Sequence, residues 1–267
     1  MSRPASPAIG IFDSGIGGLT VVQALIEILP AERLVYLGDT GRTPYGTKSN
    51  DVVQRYSEEN AMFLLDKGIK LLVVACNTAS AVALGSLRER FDIPMVDVIE
   101  PGAAAAVAAT RNGKVGIIGT EATIRSGAYA RALKRLRSDL EIYTRACPLF
   151  VPLAEEGWVD NDVAHQTARL YLASLRASGI DTLILGCTHY PLLRGAVAAV
   201  MGPSVHLVDS ARATAHVVRA TLAAAALMPT GGSGANSFFV TDAPDRFVKV
   251  GARFLGAELD SAVQIER

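Results

Sequence analysis

The sequence has few cysteines, few aromatic residues and no excess of either charge. Only three of its 267 residues are cysteine, an odd number that does not suit a disulfide framework, so we expect a reducing compartment and thiols kept for chemistry or packing. Lys plus Arg and Asp plus Glu both number 26, which gives a formal net charge of zero. A dedicated nucleic-acid protein usually carries a basic surplus. We therefore predict a small-molecule partner and no direct binding of nucleic acid.

Long apolar segments are also absent from the sequence. The uncharged run at residues 71–87 is interrupted by polar residues such as Asn77 and Thr78 and falls short of the roughly 18 residues expected of a membrane span. The first residues, MSRPASPA, are too short and too rich in proline for a signal peptide. We expect a cytoplasmic protein that does not enter a membrane.

Half of the residues are hydrophobic, and many of them form short β-branched runs that alternate with stretches of helical period. The runs predict strands over residues 9–12, 34–37, 71–75, 95–98, 115–118, 141–144, 183–185, 205–208 and 238–241. The helical stretches include residues 52–65, 79–91, 122–136, 162–178 and 211–227. Such alternation is typical of βαβ units. It predicts an α/β fold with mainly parallel sheets.

Small and polar residues follow several of the predicted strands. The segments are DSGIGG, GDTGRTPYG, CNTAS, GTEAT and CTHYP. Open parallel α/β sheets bind ligands at the carboxyl edge of their strands, beside helix N termini that favour anions. The sequence therefore predicts a binding site built from these five loops.

Two pairs of segments resemble each other at similar spacing along the chain. LVVACNTAS contains Cys76 and LILGCTHYP contains Cys187, while IGIFDSG begins at residue 9 and VGIIGTE at residue 115. Two such pairs favour two related halves. We predict two similar, pseudo-symmetric α/β domains with the active site in the cleft between them. The first comprises residues 1–98 and 209–267, the second residues 99–208, and PTGGSGANS at 229–237 is a loop rather than a domain linker.

Cys76 and Cys187 each follow an apolar strand and precede two polar residues. A free cysteine is often a small core residue, but the matching contexts, one with His189, weaken that interpretation. A thiol has a pKa of about 8.5 and needs a helix N terminus or a cation to become a thiolate at neutral pH. Both loops are predicted to precede a helix. Cys147, which has no polar partner beside it, is interpreted as structural.

Three kinds of chemistry suit two thiols and a histidine. A zinc site would need a further ligand, and Cys-x-x-Cys spacing is absent, so we predict no metal. A Cys–His hydrolase would use one thiol and leave the other unexplained. Two thiols on opposite faces of a carbon could instead remove a proton from one side and deliver another from the far side. The last chemistry is stereoinversion without a cofactor.

Other candidate residues have an ordinary interpretation beside a functional one. Asp13 ends the first strand, where it could reach the cleft or serve as a turn residue. Tyr45 and Gly46 have the pattern of a turn, and Glu155 and Glu156 that of solvated surface. From the pattern alone these alternatives stay open.

These segments together resemble the glutamate racemases, a cofactor-independent group in the aspartate/glutamate racemase superfamily. The resemblance runs from about residue 9 to about residue 255 through GIFDSGIGGLTV, GDTGRTPYG, VVACNTASA, VGIIGTEATIRSGAY, CPLFVPLAEEG and LGCTHYPLL. It implies an isomerase that converts L-glutamate to D-glutamate for peptidoglycan synthesis, and thus for cell wall biogenesis and cell shape. It also implies a homodimer that needs neither pyridoxal phosphate nor metal.

The resemblance further implies roles for individual residues. Cys76 and Cys187 match the catalytic cysteines, Cys76 as the base for D-glutamate and Cys187 as the base for L-glutamate. Asp13, His189 and Glu155 match positions that assist catalysis, which replaces the surface interpretation of Glu155. The implied substrate-binding positions are Asp13, Ser14, Tyr45, Gly46, Asn77, Thr78, Thr120, Thr188 and His189.

Three alternatives to a glutamate racemase remain at this stage. An enzyme of the same superfamily could act on aspartate or another small acidic amino acid. A thiol-dependent amidohydrolase would release ammonia from an amide and survive the loss of one cysteine. Some glutamate racemases bind and inhibit DNA gyrase, although the balanced charge gives no support for that role here.

Overall fold

The computed structural model describes residues 7–229 and 235–266, and the chain there forms two parallel sheets flanked by helices. Most of the MSRPASPA segment and the central part of the predicted loop at 229–237 lie outside the described residues. Within the described ranges, no helix is both long enough and apolar enough to cross a membrane.

The secondary structure alternates as the sequence predicts. The strands are β1 (Ala8–Asp13), β2 (Leu34–Gly38), β3 (Ile69–Val74), β4 (Met95–Asp97), β5 (Lys114–Gly119), β6 (Glu141–Ala146), β7 (Thr182–Gly186), β8 (His206–Asp209), β9 (Ser237–Val240) and β10 (Val263–Gln264). The helices are α1 (Leu19–Ile28), α2 (Asn50–Asp66), α3 (Asn77–Arg90), α4 (Ile99–Ala109), α5 (Glu121–Ser126), α6 (Ala128–Leu136), α7 (Phe150–Glu156), α8 (Asp162–Ala177), α9 (Arg194–Met201), α10 (Ser210–Ala224) and α11 (Pro244–Leu255). All the strands predicted from the sequence are observed, and the prediction of an α/β fold is confirmed.

The two sheets repeat one topology. The first has the strand order β10-β9-β2-β1-β3-β4 and the second the order β6-β5-β7-β8. The four strands β2-β1-β3-β4 therefore correspond, one for one, to β6-β5-β7-β8, so that β3, before Cys76, is equivalent to β7, before Cys187. The prediction of two similar α/β halves is confirmed.

The strands of the two sheets come from different parts of the chain. The first sheet takes its strands from residues 8–97 and 237–264, and the second from residues 114–209. Helix α4 leads from the first sheet to the second, α10 leads back, and the two helices pack against each other. The domain limits at 98/99 and 208/209 remain a prediction, which this arrangement supports.

Buried apolar strands hold each half together. Every residue of β1, β2 and β7 is buried, as expected for parallel strands covered by helices on both faces. Full burial of one Val, Leu or Ile side chain contributes about 1.5–3 kcal/mol. These strands are therefore a rigid base for the polar loops that follow them.

One predicted helix is divided in the structure. Residues 122–136 were expected to form one helix, but α5 ends and α6 begins around Gly127, which has a φ of +64°. That left-handed conformation is accessible to glycine at little cost and interrupts the helical hydrogen bonds. The prediction of a single helix is therefore wrong at this position.

Candidate active site

The carboxyl ends of the central strands bring the predicted site residues together in each half. In the first sheet Phe12 of β1 pairs with Val74 of β3, and the Ala75 N–H donates to the Phe12 carbonyl at 3.0 Å. Asp13 and Cys76 therefore lie at one edge. In the second sheet the last residues of β5 and β7, Gly119 and Gly186, are paired. Thr120 and Cys187 consequently begin neighbouring loops.

Cys76 is a buried thiol at the N terminus of α3, where it occupies the N-cap position. Burial, and then the nearby Asp13 carboxylate, raise the pKa of this thiol to about 12. Hydrogen bonds from the Ala79 amide and from the hydroxyl and amide of Ser14 oppose that rise, because they favour the thiolate. The protonated thiol is consequently the stable form of Cys76 near neutral pH.

Asp13 is completely buried and serves both as a turn residue and as a neighbour of Cys76. Its Oδ2 accepts a hydrogen bond from the Gly15 N–H at 2.9 Å. Burial raises the pKa of the carboxyl group, while the positive charge of His189 and several backbone N–H groups lower it. Asp13 is thus electrostatically linked to groups in both halves of the molecule.

Cys187 heads a chain of acid/base groups. Its sulfur lies 3.9 Å from His189 Nδ1, and His189 Nε2 lies 3.1 Å from Glu155 Oε1. Burial alone would lower the pKa of His189, but its contacts with Cys187 and Glu155 raise it to about 10. The hydrogen bond with His189 in turn lowers the pKa of Glu155. His189 is therefore an imidazolium between two acidic partners.

Glu155 belongs to this series of hydrogen-bonded groups, whereas its neighbour Glu156 does not. Its side chain is only 19% exposed, whereas Glu156 lies on the surface. The surface interpretation of Glu155 from its pattern alone is therefore wrong, because contact with His189 depends on residues distant in the sequence.

The loop after β1 joins the two thiol regions. A Cβ atom on Gly17 would stand 2.3 Å from Thr188 Oγ1 and 2.5 Å from His189 Nδ1, so only glycine allows this approach. The Thr20 hydroxyl also contacts the Thr188 carbonyl at 3.4 Å. The β1 loop thus runs from Asp13, beside Cys76, to direct contact with the Cys187 loop.

Two buried polar atoms beside Cys76 lack a protein partner. Across residues 7–229 and 235–266, Asp13 Oδ1 and Asn77 Nδ2 are the buried side-chain polar atoms without a hydrogen bond. The Tyr129 O–H donates to Asn77 Oδ1 at 2.7 Å, which directs the amide so that Nδ2 remains a free donor. Leaving such a group unpaired costs about 1–3 kcal/mol. A free donor and a free acceptor together suit a polar ligand.

A cluster of threonines also links the two halves. Thr78 Oγ1 lies 3.0 Å from Thr120 Oγ1 and 3.3 Å from Thr123 Oγ1. Thr120 caps α5, accepting a hydrogen bond from the Thr123 N–H at 3.2 Å. Thr123 was missed from the sequence, although its position three residues after an N-cap threonine was a usable signal.

Known proteins share this sequence and fold along nearly their whole length. A sequence model of the Asp/Glu/hydantoin racemase family matches residues 9–218. A glutamate racemase of Geobacter metallireducens is 58% identical over 259 residues, which are 97% of this chain and 96% of that protein. A glutamate racemase isoform of Bacillus anthracis has a similar structure, with a TM-score of 0.93 at 38% identity over 98% of this chain and 97% of the other.

A third relative is the glutamate racemase of Francisella tularensis, solved in complex with D-glutamate. Its TM-score is 0.92 at 38% identity, over 97% of each chain. The chain belongs to the glutamate racemase family. It is accordingly an isomerase, and the residues described above form its candidate active site.

The Tyr45 side chain does not have the orientation expected of a substrate-binding residue in this glutamate racemase. Its hydroxyl donates to the Asp39 carboxylate and accepts from Asn60 Nδ2 at 3.0 Å. Burial and the Asp39 charge raise the pKa of Tyr45. The neighbouring Gly46 packs closely on Thr120, where a Cβ atom would approach to 2.8 Å. Here the main chain, rather than the phenol, is turned toward the second half.

Asp39 is the anchor of this loop and was not identified from the sequence. It follows β2, is completely buried, and receives both Arg42 Nε, at 2.9 Å, and the Thr241 hydroxyl, at 3.0 Å. The motif GDTGRTPYG contains the necessary signal, an aspartate directly after a buried strand. The pattern does not reveal that its carboxylate holds the loop rather than a ligand.

Cys147 has a structural environment distinct from those of the other two thiols. It is completely buried, its carbonyl accepts a hydrogen bond from the Tyr190 O–H at 2.8 Å, and burial raises its thiol pKa to about 12. In the described part of the chain, no group of three or more His, Cys, Asp or Glu side chains is placed to hold a metal ion.

Proposed function

We propose that the protein interconverts L-glutamate and D-glutamate by proton transfer at the α-carbon, with Cys76 and Cys187 as the two acid/base groups and no cofactor. The observation that carries the proposal is the position of these thiols at equivalent strand ends of two repeated sheets, each with its own charged partner. The D-glutamate complex of the Francisella tularensis relative supports glutamate as the substrate.

The two thiols have different charged neighbours. The raised pKa of Cys76 keeps it protonated, so that it can donate a proton. Cys187 lies beside the His189 imidazolium, which stabilises negative charge on the adjacent sulfur. We therefore assign Cys187 as the base and Cys76 as the acid in the direction from L-glutamate.

In the direction from L-glutamate, the Cys187 thiolate takes the α-proton and the Cys76 thiol gives its proton to the opposite face. The products are D-glutamate, a Cys187 thiol and a Cys76 thiolate. D-glutamate reacts with the second protonation state, and the roles exchange. One proton is accepted and one donated in each turnover, so the step needs no oxidant, reductant or co-reactant.

Removal of the α-proton places negative charge on the substrate carboxylate, which hydrogen-bond donors must stabilise. Asn77 Nδ2 is a buried donor without a protein partner, and we assign the hydroxyls of Ser14, Thr78 and Thr188 as further donors. The free Oδ1 of Asp13 suits the substrate ammonium group. We assign the Tyr45–Gly46 main chain and Thr120 to the other end of the substrate.

We further propose that the D-glutamate supplies peptidoglycan synthesis, and that the enzyme is cytoplasmic and homodimeric. The support is the similarity to glutamate racemases of several bacteria. Depletion of the protein should produce a requirement for external D-glutamate, and sedimentation of the pure enzyme should give twice the chain mass.

The two-thiol mechanism is tested with Cys76→Ala, Cys187→Ala and Cys147→Ala in deuterated water. Loss of a general acid or base typically costs about 10²–10⁴ in rate, so the first two variants should lose racemisation by at least that factor. The Cys147→Ala control should retain activity per folded molecule. The mechanism is wrong if either Cys76→Ala or Cys187→Ala turns over near the wild-type rate.

The substrate is tested by following optical rotation with glutamate, aspartate, alanine and glutamine in turn. We expect turnover of glutamate only. A thiol-dependent amidohydrolase would instead release ammonia from glutamine, and faster turnover of aspartate would reassign the substrate.

A further inference from the structure

The carboxylate of Glu155 is shared between two partners from different halves of the molecule. Its Oε1 contacts His189, while its Oε2 accepts a hydrogen bond from Arg246 Nη2 at 3.1 Å. Arg246 lies on α11, whose preceding strand β9 belongs to the first sheet, whereas Glu155 lies on α7 beside the second. The Cys187–His189–Glu155 chain therefore continues across to the first half.

A second arginine of α11 fixes the helix that carries Glu155. Arg253 Nη1 donates to the Glu155 main-chain carbonyl at 3.0 Å. Helix α7 ends at Glu156, and the next residue, Gly157, has a φ of +77°. A Cβ atom on Gly157 would stand 2.7 Å from Arg253 Nη1. The glycine thus makes room for this guanidinium. Arg253 holds the backbone of Glu155, and Arg246 holds its carboxylate.

Exposed ion pairs usually contribute only about 0–1 kcal/mol to stability, so replacing Arg246 should change folding little and leave an effect on the site measurable. Its partner Glu155 is 19% exposed, and the next group, His189, is 7% exposed. With both oxygens engaged, rotation of the carboxylate away from His189 would also break the contact with Arg246. Without Arg246, one oxygen would be released to solvent and the ring would lose a fixed acceptor.

The Cys76 side differs, because no arginine is among the contacts of Asp13 in the described part of the chain. Asp13 is completely buried, and backbone N–H groups, including that of Gly15, hold its carboxylate. An exposed guanidinium therefore orients only one of the two acid/base groups.

We propose that Arg246 is a positioning residue for proton transfer by Cys187, acting through Glu155 and His189. The inference rests on the two-thiol mechanism proposed above. Arg246 keeps Glu155 in the orientation that fixes the His189 ring beside the sulfur, and it has no corresponding effect on proton transfer by Cys76.

Isotope effects can separate the two proton transfers. The enantiomers of glutamate have equal free energy, so kcat/KM is the same in both directions and cannot reveal which transfer has slowed. Under the proposed mechanism, Cys187 removes the deuterium from α-deuterated L-glutamate, and Cys76 removes it from α-deuterated D-glutamate. Slower transfer at Cys187 should raise the primary isotope effect on kcat/KM for the L-enantiomer and lower that for the D-enantiomer.

The experiment compares the wild-type enzyme with Arg246→Gln and Arg246→Lys. Misplacement of a catalytic group by about 1 Å can cost about 10²-fold, and we expect Arg246→Gln to reduce kcat/KM about 10- to 100-fold. The isotope effect should rise for L-glutamate and fall for D-glutamate. Arg246→Lys keeps the charge and should restore part of the rate and part of the wild-type ratio of isotope effects.

Arg135→Gln is the matched control, since Arg135 is also 59% exposed and also pairs with a glutamate, Glu100. It should leave the rate and both isotope effects unchanged. The inference is overturned if Arg246→Gln keeps wild-type kcat/KM, or loses rate without changing the ratio of isotope effects. Failure of the two-thiol mechanism is recognised separately, because Cys76→Ala or Cys187→Ala would then remain active.

Discussion

The Cys76 and Cys187 loops occupy equivalent places in a repeated topology, yet their surroundings differ. Cys76 caps a complete α-helix, α3, and its nearest acid/base partner is the buried carboxyl of Asp13. Cys187 is followed by a 3-10 turn, Tyr190–Leu193, before α9 begins. Its partner is the His189 imidazolium.

This difference separates what the backbone contributes from what the side chains contribute. The repeated strand order supplies two equivalent positions, one in each half, which is what two acid/base groups acting on one carbon require. The side chains make the positions unequal, because a carboxyl favours a neutral thiol and an imidazolium favours a thiolate. The fold is therefore symmetric, while the charged groups beside the two thiols differ.

The largest expected effects on kcat/KM come from removing Asp13, the partner of Cys76, and His189, the partner of Cys187, in separate variants. Asp13→Asn and His189→Gln should each reduce kcat/KM by about 10²–10⁴, the usual contribution of a positioned acid or base. Removing the Asp13 charge should lower the pKa of Cys76 and speed its alkylation by iodoacetamide. Removing the His189 cation should slow alkylation of Cys187. Mass spectrometry of the labelled peptides distinguishes the sites.

Labelling of Cys147 provides an internal control, because its burial does not involve either partner. Its rate should be the same in both variants. If Asp13→Asn and His189→Gln changed the alkylation rates of Cys76 and Cys187 in the same direction, the electrostatic contrast between these two thiols would be refuted.

Much of the fold could be predicted because its signals are local. Strands buried on both faces appear as short apolar runs, and each such run became a strand. The break at Gly127 was missed because the flanking residues continue a helical pattern, and only the left-handed φ interrupts it. The spatial order of the strands could not be read from periodicity, although the two similar cysteine segments indicated the repeat.

The candidate site was predictable where a side chain directly follows a strand. Cys76, Cys187 and Asp13 are examples, since the carboxyl edge of a parallel sheet is a general binding position. Contacts between distant segments were not predictable, as with Arg246 and Glu155, which are 91 residues apart. The helix expected after Cys187 is likewise a 3-10 turn, and the sequence signal is the proline at position 191.

A smaller effect is expected from adding one methyl group between the halves. Gly17→Ala would place a Cβ atom against Thr188 and His189 and displace the Cys187 loop while leaving Cys76 in place. We expect kcat/KM to fall about 10- to 100-fold and stability to fall by about 1–3 kcal/mol. Steady-state kinetics and urea unfolding measure the two quantities.

Gly195→Ala is the matched control for that substitution. Gly195 lies in α9 with nothing within 4 Å of the added Cβ, so alanine should raise stability by up to about 1 kcal/mol through its helix propensity and leave kcat/KM unchanged. Equal kinetic effects of the two substitutions would show that Gly17 is not a specific contact between the halves.

The last prediction concerns stability as a function of pH, and its largest single source below pH 9 is His189. Its pKa is about 10 in the folded protein, against 6.5 for an ordinary histidine, so the folded state binds this proton more tightly than the unfolded state. The resulting stabilisation is complete below pH 6.5 and is lost as the pH rises to about 10. Urea unfolding at pH 6.5, 8 and 9.5 should show this decline in the wild-type protein and a shallower one in His189→Gln.

The exposed His216 provides the control, and His216→Gln should keep the wild-type slope. A wild-type slope in His189→Gln would mean that His189 is not a cation in the folded protein, and the electrostatic contrast between the two thiols would lose its main cause.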